Sequence, residues 1–131
     1  MVKNIRWRYL IFHLHIASNP QANIVRNCLR KHLKMFLGTL GMAKHSIMIM
    51  SYDEMQKLGV IRCSHDAVTL IRAALALLNN VNGEPASLHI MKSTGTFKKA
   101  KFLLKELSEK LKSHWSELEA GMKRPSQATE P

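Results

Sequence analysis

Apolar side chains dominate residues 8–16, and their alternation with a period of two predicts a β-strand. One face of this strand would carry Leu10, Phe12, Leu14 and Ile16, and the other would carry Tyr9, Ile11, His13 and His15. Both faces of the predicted strand are therefore at least partly apolar.

A helix is predicted to follow, starting at Asn19 and Pro20 and running to about Leu37. Asparagine is a good N-cap, and proline suits the first helical position. The apolar residues of this segment recur at intervals of three and four, which is the spacing of a buried helical stripe. The stripe consists of Val25, Cys28, Leu29, His32, Leu33 and Phe36. Gly38 and Gly41 are expected to end the helix.

Three further segments predict strands, over residues 45–52, 59–63 and about 87–91. The first two are separated by a short polar connection, so they are expected to pair as a hairpin. Between the second and third of these strands, Ser64 is expected to cap a helix.

That second helix would run from about His65 to Val81 and stop at Asn82-Gly83. After the last strand, a turn over Lys92–Thr96 leads into a long final helix that is predicted to reach about Trp115. Its apolar stripe consists of Phe97, Ala100, Leu104, Leu107, Leu111 and Trp115.

The predicted order is β-α-β-β-α-β with an added C-terminal helix, which is the ferredoxin-like α+β sandwich. We expect residues 1–116 to form a single domain, and residues 117–131 to form the helix end and a disordered tail. The first two helices would cover one sheet face. The other face would carry Tyr9, Ile11, His13, Val60, Arg62, His89 and Met91. This set is too apolar to face water, so the last helix or a partner protein is expected to cover it.

Charge gives the first indication of function. The 131 residues carry a formal net charge of +11, and no acidic residue precedes Asp53. Such an excess indicates a polyanionic partner, with nucleic acid first and an anionic membrane surface second. Since 46% of the residues are hydrophobic, a packed core is expected. No apolar run is long enough for a membrane span.

Lysines concentrate in the segment Lys92–Lys101, at the start of the predicted last helix. A helix N-terminus presents unpaired backbone N–H groups and a partial positive charge, which favours acidic side chains or bound anions. Lysines there oppose the helix dipole, so the pattern favours phosphates supplied by a partner. The alternative is an ordinary solvated basic face.

Metal, redox and catalytic sites find little support in the sequence. His13, His15 and His89 could lie together on a sheet face, but no acid or cysteine is placed to complete a zinc site. Cys28 and Cys63 are predicted to be buried reduced thiols, with a disulfide or a nucleophilic cysteine as the alternatives. Acidic residues are few and scattered, so neither a two-metal nuclease nor a nucleophile–base–acid arrangement can be assembled.

Two other functional classes share the predicted fold. An acylphosphatase-like hydrolase needs an arginine-bearing and glycine-bearing phosphate loop after the first strand, and residues 17–21 contain neither arginine nor glycine. An RNA-recognition sheet needs stacking aromatics on its central strands, and residues 59–63 contain none. Contacts to phosphate from helices and loops are therefore expected instead.

Several short motifs, in order, resemble the ribonuclease P protein component 2 family of archaea and eukaryotes. They are Arg8-Tyr9-Leu10, the glycine turn of Gly38, Gly41 and Ala43, Gly59-Val60-Ile61-Arg62-Cys63, Ala74-Leu75, Leu77-Leu78, Val81-Asn82-Gly83, and Thr94-Gly95-Thr96-Phe97-Lys98-Lys99. The chain departs from the family in having no proline-rich leader, threonine for serine at Thr94, and phenylalanine for isoleucine at Phe97.

The resemblance implies a non-catalytic subunit that supports the RNA of ribonuclease P in removing 5′ leaders from precursor tRNA. The implied partners are ribonuclease P RNA, precursor tRNA, a TIM-barrel-like protein subunit and other ribonuclease P proteins, with no membrane. No cofactor is expected on this chain, and Mg²⁺ is implied for the catalytic RNA. A cytoplasmic location follows if the source is archaeal, which the compact length favours, and a nuclear or nucleolar one if it is eukaryotic.

Candidate site residues follow from these arguments. RNA phosphates are expected at Lys92, Thr94, Gly95, Thr96, Lys98, Lys99 and Lys101, at Arg26, Arg30, Lys31 and Lys34 on the first helix, and at Arg62. A partner protein is expected to contact Tyr9, Ile11, Val60 and Met91. No catalytic or metal-binding residue is assigned. The alternatives are an RNA-binding or assembly module of another ribonucleoprotein and, more remotely, the acylphosphatase-like hydrolase.

Overall fold

The computed structural model describes residues 5–111. Its strands are β1 (Trp7–Ile16), β2 (Met48–Asp53), β3 (Leu58–Ser64), β4 (Asn80–Val81) and β5 (Glu84–Thr94). Its helices are α1 (Ala22–Lys44), α2 (Val68–Ala76), which follows a single 3-10 turn at His65–Ala67, and α3 (residues 97–111). The predictions for Trp115 and for the tail over residues 117–131 concern residues outside this described range.

The five strands form one antiparallel sheet in the order β2-β3-β1-β5-β4. The first helix connects β1 to β2, and β3 inserts between them, which is the split arrangement of the ferredoxin-like fold. The predicted fold class and the predicted β2–β3 hairpin are confirmed. Strand β1 lies at the centre and pairs with β3 on one side and β5 on the other.

The two faces of β1 enter two separate apolar clusters. Leu10, Phe12 and Leu14 pack with residues of α1 and α2, including Leu29 and Ile71. Successive residues of a strand point to opposite faces, so the alternate residues of β1 enter the second cluster. That cluster contains Tyr9, Ile11, Leu58, Val60, Ala100 and Leu107. Helix α3 therefore covers the second sheet face, as one of the two sequence-based alternatives predicted.

The first helix differs from its prediction at both ends. Asn19 is not the N-cap, because the helix begins at Ala22, whose backbone N–H donates to the Glu54 carboxylate at 2.6 Å. Gly38 breaks the regular helix with a φ of 74°, a conformation that suits glycine. Helical structure then resumes and includes Gly41, so the segment ends at Lys44 rather than near residue 37.

The second helix ends five residues before the predicted Val81. Leu77 and Leu78 donate to carbonyls three residues back, which tightens the last turn. Asn82 and Gly83 then both take positive φ, at 53° and 82°, as a type I′ hairpin turn requires. This Asn-Gly signal joins β4 to β5, so the two residues form a hairpin and do not terminate a helix.

Strand β5 is longer than predicted at both ends. It continues through Thr94, so the predicted turn over Lys92–Thr96 is reduced to Gly95 and Thr96. A register shift opposite Ile11 and Phe12 marks a bulge in the pairing of β1 with β5. None of the helices over residues 5–111 combines the length and apolarity that crossing a membrane requires.

We expect Gly59→Ala to destabilise the chain by about 1–3 kcal/mol, the usual cost of overpacking a core. The added Cβ would lie 2.6 Å from Cε1 of Phe12 and 2.7 Å from the carbonyl oxygen of Ser51. Urea unfolding followed by circular dichroism measures the change. The control is Gly83→Ala, which meets no atom within 4 Å and loses only the positive-φ preference. A Gly59→Ala variant as stable as the native chain would contradict this packing.

The two cysteines are expected to differ in reactivity. Cys63 is fully buried, and burial raises the pKa of its thiol to about 11, whereas Cys28 is half-buried. Because the thiolate is the reactive form, a disulfide reagent at pH 8 should modify Cys28 first and Cys63 only after unfolding. The variants Cys28→Ser and Cys63→Ser show which cysteine accounts for the early modification and which for the modification after unfolding. Rapid modification of Cys63 in the native chain would show that its burial is wrong.

Candidate nucleic-acid interface

Four chain segments meet at one end of the sheet: the start of β1, the end of β3, the end of β5 and the start of α3. Antiparallel register places Tyr9 opposite Arg62 on one side and opposite Thr94 on the other. The ring of Phe97, in the first turn of α3, lies 5.7 Å from the ring of Tyr9. We call this region the basic end, and its cationic residues are Arg6, Arg8, Arg62, Lys92, Lys98, Lys99 and Lys101.

Thr96 caps helix α3. Its Oγ1 accepts a hydrogen bond from the backbone N–H of Lys99 at 3.2 Å, the usual bond between an N-cap and the third helical residue. Gly95 precedes the cap, and a Cβ on it would lie 2.9 Å from Nη1 of Arg8. The glycine therefore allows the Arg8 guanidinium to approach the helix start.

Most of the predicted residues of this segment are exposed. Lys92, Gly95, Thr96 and the three lysines of α3 all face solvent. Thr94 does not, because only 8% of it is exposed and its position opposite Tyr9 turns it under α3. The structure thus brings the exposed residues together at the basic end, whereas Thr94 packs beneath them.

Arg62 stacks on an aromatic ring at the same end. Its guanidinium carbon lies 4.2 Å from the centre of the Trp7 ring, and its Nε is buried without a hydrogen-bond partner among the described residues. Stacking fixes the orientation of the guanidinium plane. The side chain can therefore present its terminal N–H groups toward the basic end without a carboxylate partner in the described part of the chain.

The predicted basic residues of α1 lie elsewhere. Helix α1 packs on the sheet face opposite to α3, as the two separate apolar clusters show. Arg30, Lys31 and Lys34 are exposed there, and Arg26 is half-buried. The chain therefore has two separate basic surfaces, and the α1 residues do not join the basic end.

Glu54 and Glu84 accept hydrogen bonds from other parts of the chain, far from the lysines in the first turns of α3. Glu54 accepts the first N–H of α1, and Glu84 accepts hydrogen bonds from the backbone N–H and the hydroxyl of Ser18. Both carboxylates lie at the end of the sheet opposite to the basic end. An acylphosphatase-like hydrolase would bind phosphate in the loop after β1. In this chain the Glu84 carboxylate already lies against Ser18 of that loop.

Asp66 is the acidic residue nearest the end of β3. Its carboxylate accepts a hydrogen bond from the Ser64 hydroxyl at 2.6 Å and lies 3.6 Å from Nδ1 of His45. The hydrogen bond from Ser64, reinforced by His45 and His65, holds the pKa of Asp66 below its usual range. Within residues 5–111, Lys110 is the single lysine or arginine that pairs with a carboxylate, Glu106 at 3.8 Å.

The residues predicted to contact a partner protein are covered by the chain itself. Tyr9, Ile11 and Val60 expose 9%, 0% and 3% of their surface and pack against α3, while Met91 is half-buried beside them. Contact between a partner and the first three would require α3 to move away. These three side chains are apolar because α3 of the same chain packs over them.

The three histidines do lie together on the sheet. His13 is opposite His89 in the register, and its ring lies 4.4 Å from that of His15. Burial lowers the pKa of His13, and the neighbouring His15, Lys57 and His89 lower it further. No group of three or more potential metal ligands is assembled within the described residues.

Sequence reasoning missed two members of the basic end, Arg6 and Arg8. Both stand at the start of β1, far along the chain from the lysines of α3. The backbone carbonyl of Arg6 accepts a hydrogen bond from the backbone N–H of His65, and the Arg8 guanidinium lies beside Gly95. The one sequence feature that pointed to such a contact was Gly95, directly before the helix cap. A glycine there indicates that another group approaches closely, but it does not identify that group.

Comparison with known proteins places these residues in a family context. Residues 8–105 match the Rpp14/Pop5 family. Ribonuclease P protein component 2 of Methanosarcina acetivorans is 38% identical over 100 residues, covering 73% of each chain. The Methanosarcina mazei protein of the same name is 35% identical, covering 76% of this chain and 85% of its own. The Pyrococcus furiosus protein is 27% identical, covering 72% and 78%.

A solved structure shares the fold. A chain in the cryo-EM structure of yeast ribonuclease MRP superimposes with a TM-score of 0.57, covering 88% of this chain and 98% of that one. At 17% sequence identity, this likeness supports the ferredoxin-like architecture with its added helix.

The unfavourable lysine at the third position of α3 gives a stability test. Lys99→Glu would create a capping box with Thr96 and place a negative charge beside the helix N-terminus. We expect the free energy of unfolding to rise by about 0.5 kcal/mol. Urea unfolding measures it, and Lys105→Glu, two turns further along, is the control. Equal effects of the two substitutions would contradict a dipole-opposing role for Lys99.

Proposed function

The chain belongs to the Rpp14/Pop5 family of ribonuclease P protein subunits, and from this membership we propose that it is a non-catalytic RNA-binding subunit of ribonuclease P. In this role it supports the RNA that removes 5′ leaders from precursor tRNA. The observation that carries the proposal is the family match over residues 8–105, which spans every strand and the start of α3, including most of the basic end.

The basic end supplies the RNA contacts in this proposal. Backbone N–H groups and the partial positive charge at the start of α3 attract phosphate, and Lys98 and Lys99 add mobile full charges beside them. Arg62 adds a guanidinium whose plane is held by Trp7. Lysine is repelled by a helix N-terminus, so its presence there is favourable when phosphates lie between the positive groups.

We assign the chemistry of cleavage to the RNA. Of the described carboxylates, Glu54, Asp66 and Glu84 accept hydrogen bonds from neighbouring groups of the chain, and Glu106 pairs with Lys110. They are thereby engaged in local structure rather than gathered around a common point. Mg²⁺, in this proposal, is held by the RNA. The protein contributes positive charge that offsets phosphate repulsion where RNA segments approach one another.

Other protein subunits are inferred from the same family context. We propose a TIM-barrel-like subunit as the protein partner. Exposed apolar side chains on α1 and just after the end of α2 supply area for a protein contact away from the lysines of α3. The largest exposures are those of Met35, Leu40 and Leu77. Because the relatives named above are archaeal, we also propose an archaeal cytoplasm as the location.

An affinity pull-down of the full chain followed by RNA sequencing tests the assignment. Ribonuclease P RNA should be the dominant recovered species, together with precursor tRNA. Recovery of a different structural RNA in its place would instead identify an assembly module of another ribonucleoprotein. Recovery of no RNA at all would contradict RNA binding altogether.

Replacing Lys98, Lys99 and Lys101 together by alanine should weaken binding to ribonuclease P RNA and slow cleavage of precursor tRNA in a reconstituted complex. Each lysine that contacts phosphate contributes about 0.7–0.9 to the slope of log affinity against log salt, so the slope should fall by about 2. Filter binding at several salt concentrations measures both quantities.

The matched control is the triple alanine variant of Arg30, Lys31 and Lys34, which removes the same charge from the opposite face of the sheet. It should change the slope less than the α3 variant. An α3 variant with unchanged affinity, slope and cleavage would remove the basic end from the RNA interface.

A further inference from the structure

Phe102 is the most exposed aromatic side chain among residues 5–111, with 66% of its surface accessible. It lies on the outer side of α3, since the side chains that pack inward are Ala100, Leu103, Leu104, Leu107 and Leu111. The core therefore makes no use of its ring. The exposed ring is available to an external partner that offers an apolar or planar group.

The surroundings of Phe102 are cationic on the side of the helix start. Lys98 lies one turn earlier on the same side of the helix, and Lys99 and Lys101 flank that turn. Lys105 follows one turn later and lines an open recess of about 250 Å³ with Phe102, Glu106 and Glu109. Glu106 is paired with Lys110 at 3.8 Å.

This charge pattern separates the two parts of a nucleotide. Phosphate is attracted toward Lys98 and Lys99. On the far side of Phe102, two glutamates offset the charges of Lys105 and Lys110, so no excess positive charge attracts phosphate there. An uncharged planar base needs no such attraction and can lie against the ring. One nucleotide could therefore place its phosphate beside Lys98 and its base on Phe102, about 6 Å further along the helix axis.

The other exposed aromatic residues are already in contact with neighbours. Phe97 has Tyr9 at 5.7 Å and the Lys101 ammonium at 4.7 Å from its ring centre. The Phe36 ring lies 4.9 Å from that of His32. Phe102 has no aromatic or cationic partner over its ring among residues 5–111, and about two thirds of its surface is accessible.

We propose that Phe102 stacks on an unpaired base of the RNA, while the lysines of α3 hold the adjoining phosphates. The proposal rests on the RNA-binding function proposed above and adds to it a contact with single-stranded RNA. Base stacking on an aromatic side chain tolerates any base, so the contact selects unpaired nucleotides rather than a particular sequence.

The test compares Phe102→Leu, Phe102→Ala and Phe102→Tyr in the full chain, with ribonuclease P RNA as the probe. Leucine keeps apolar area and helix propensity but removes the π face, and tyrosine keeps the π face. We expect the leucine and alanine variants to bind about tenfold more weakly, which is within the usual range for loss of one stack, and the tyrosine variant to bind within about twofold of the native chain.

Salt dependence distinguishes stacking from charge. The Phe102 variants should retain the native salt slope, whereas the triple lysine variant of α3 should lose about 2 from it. Met55→Ala removes an exposed apolar side chain, 82% accessible, from the connection between β2 and β3 at the other end of the sheet and should leave RNA affinity unchanged. The affinities of the native chain and Phe102→Leu should also be compared on a short single-stranded oligonucleotide with and without one abasic position. The difference in affinity between the two proteins should be smaller for the abasic oligonucleotide than for the intact one.

Three outcomes would overturn the proposal. Native RNA affinity in Phe102→Leu would show that no ring stacks there, even though RNA binding itself stood. If the Phe102→Leu variant bound RNA as tightly as the native chain does but lost another protein subunit from the reconstituted complex, Phe102 would be assigned to a protein contact. Failure of the native chain to bind ribonuclease P RNA would remove the proposed function and the stacking contact together.

Discussion

Burial of both faces of the central strand is the constraint on which the rest of this protein depends. Leu10, Ile11, Phe12 and Leu14 have no exposed surface, although Ile11 points to the opposite side of the sheet from the other three. Each such side chain contributes about 1.5–3 kcal/mol by leaving water. A single layer of helices would bury one face only and would leave Ile11, with Tyr9 and Val60 beside it, in contact with water. The chain needs α1 and α2 on one face and α3 on the other.

The same constraint places the charge. Helix α3 begins where β5 ends, and β5 is antiparallel to β1, so the start of α3 lies beside the start of β1. The inward side of α3 is apolar, with Ala100 fully buried, while its first turns carry lysines outward. Core packing thus holds a flexible set of ammonium groups on a rigid support. Loss of the inward contacts would disperse the basic end as well as expose the sheet.

Electrostatic asymmetry is the second organising feature. Glu54 and Glu84 act at the end of the sheet where α1 starts, and Glu54 satisfies a backbone donor of that helix. The start of α3 has a threonine cap and lysines instead. One helix N-terminus is therefore satisfied by the chain's own carboxylate, and the other combines a partial positive charge with full ones. A polyanion will bind preferentially at the second.

Local sequence patterns were sufficient for much of the fold. The alternation in residues 8–16 predicted β1 and its two faces, and the order of elements predicted the ferredoxin-like sheet. Where prediction failed, a competing local signal was present. Asn82-Gly83 suits both a helix stop and a type I′ turn, and the pairing of Asn80 with Pro85 decided for the turn. Gly38 does break α1, but helical bonding resumes after it.

The sequence by itself determined that the chain is basic, that it can build an α+β core, and that lysines gather at the start of one helix. It could not determine which distant residues join them. Arg8 reaches Gly95 only through the register of β1 with β5, and Tyr9, Ile11 and Val60 are hidden only because α3 lies over them. Periodicity reports which face of an element is apolar, whereas tertiary packing decides what covers that face and which charges remain outside.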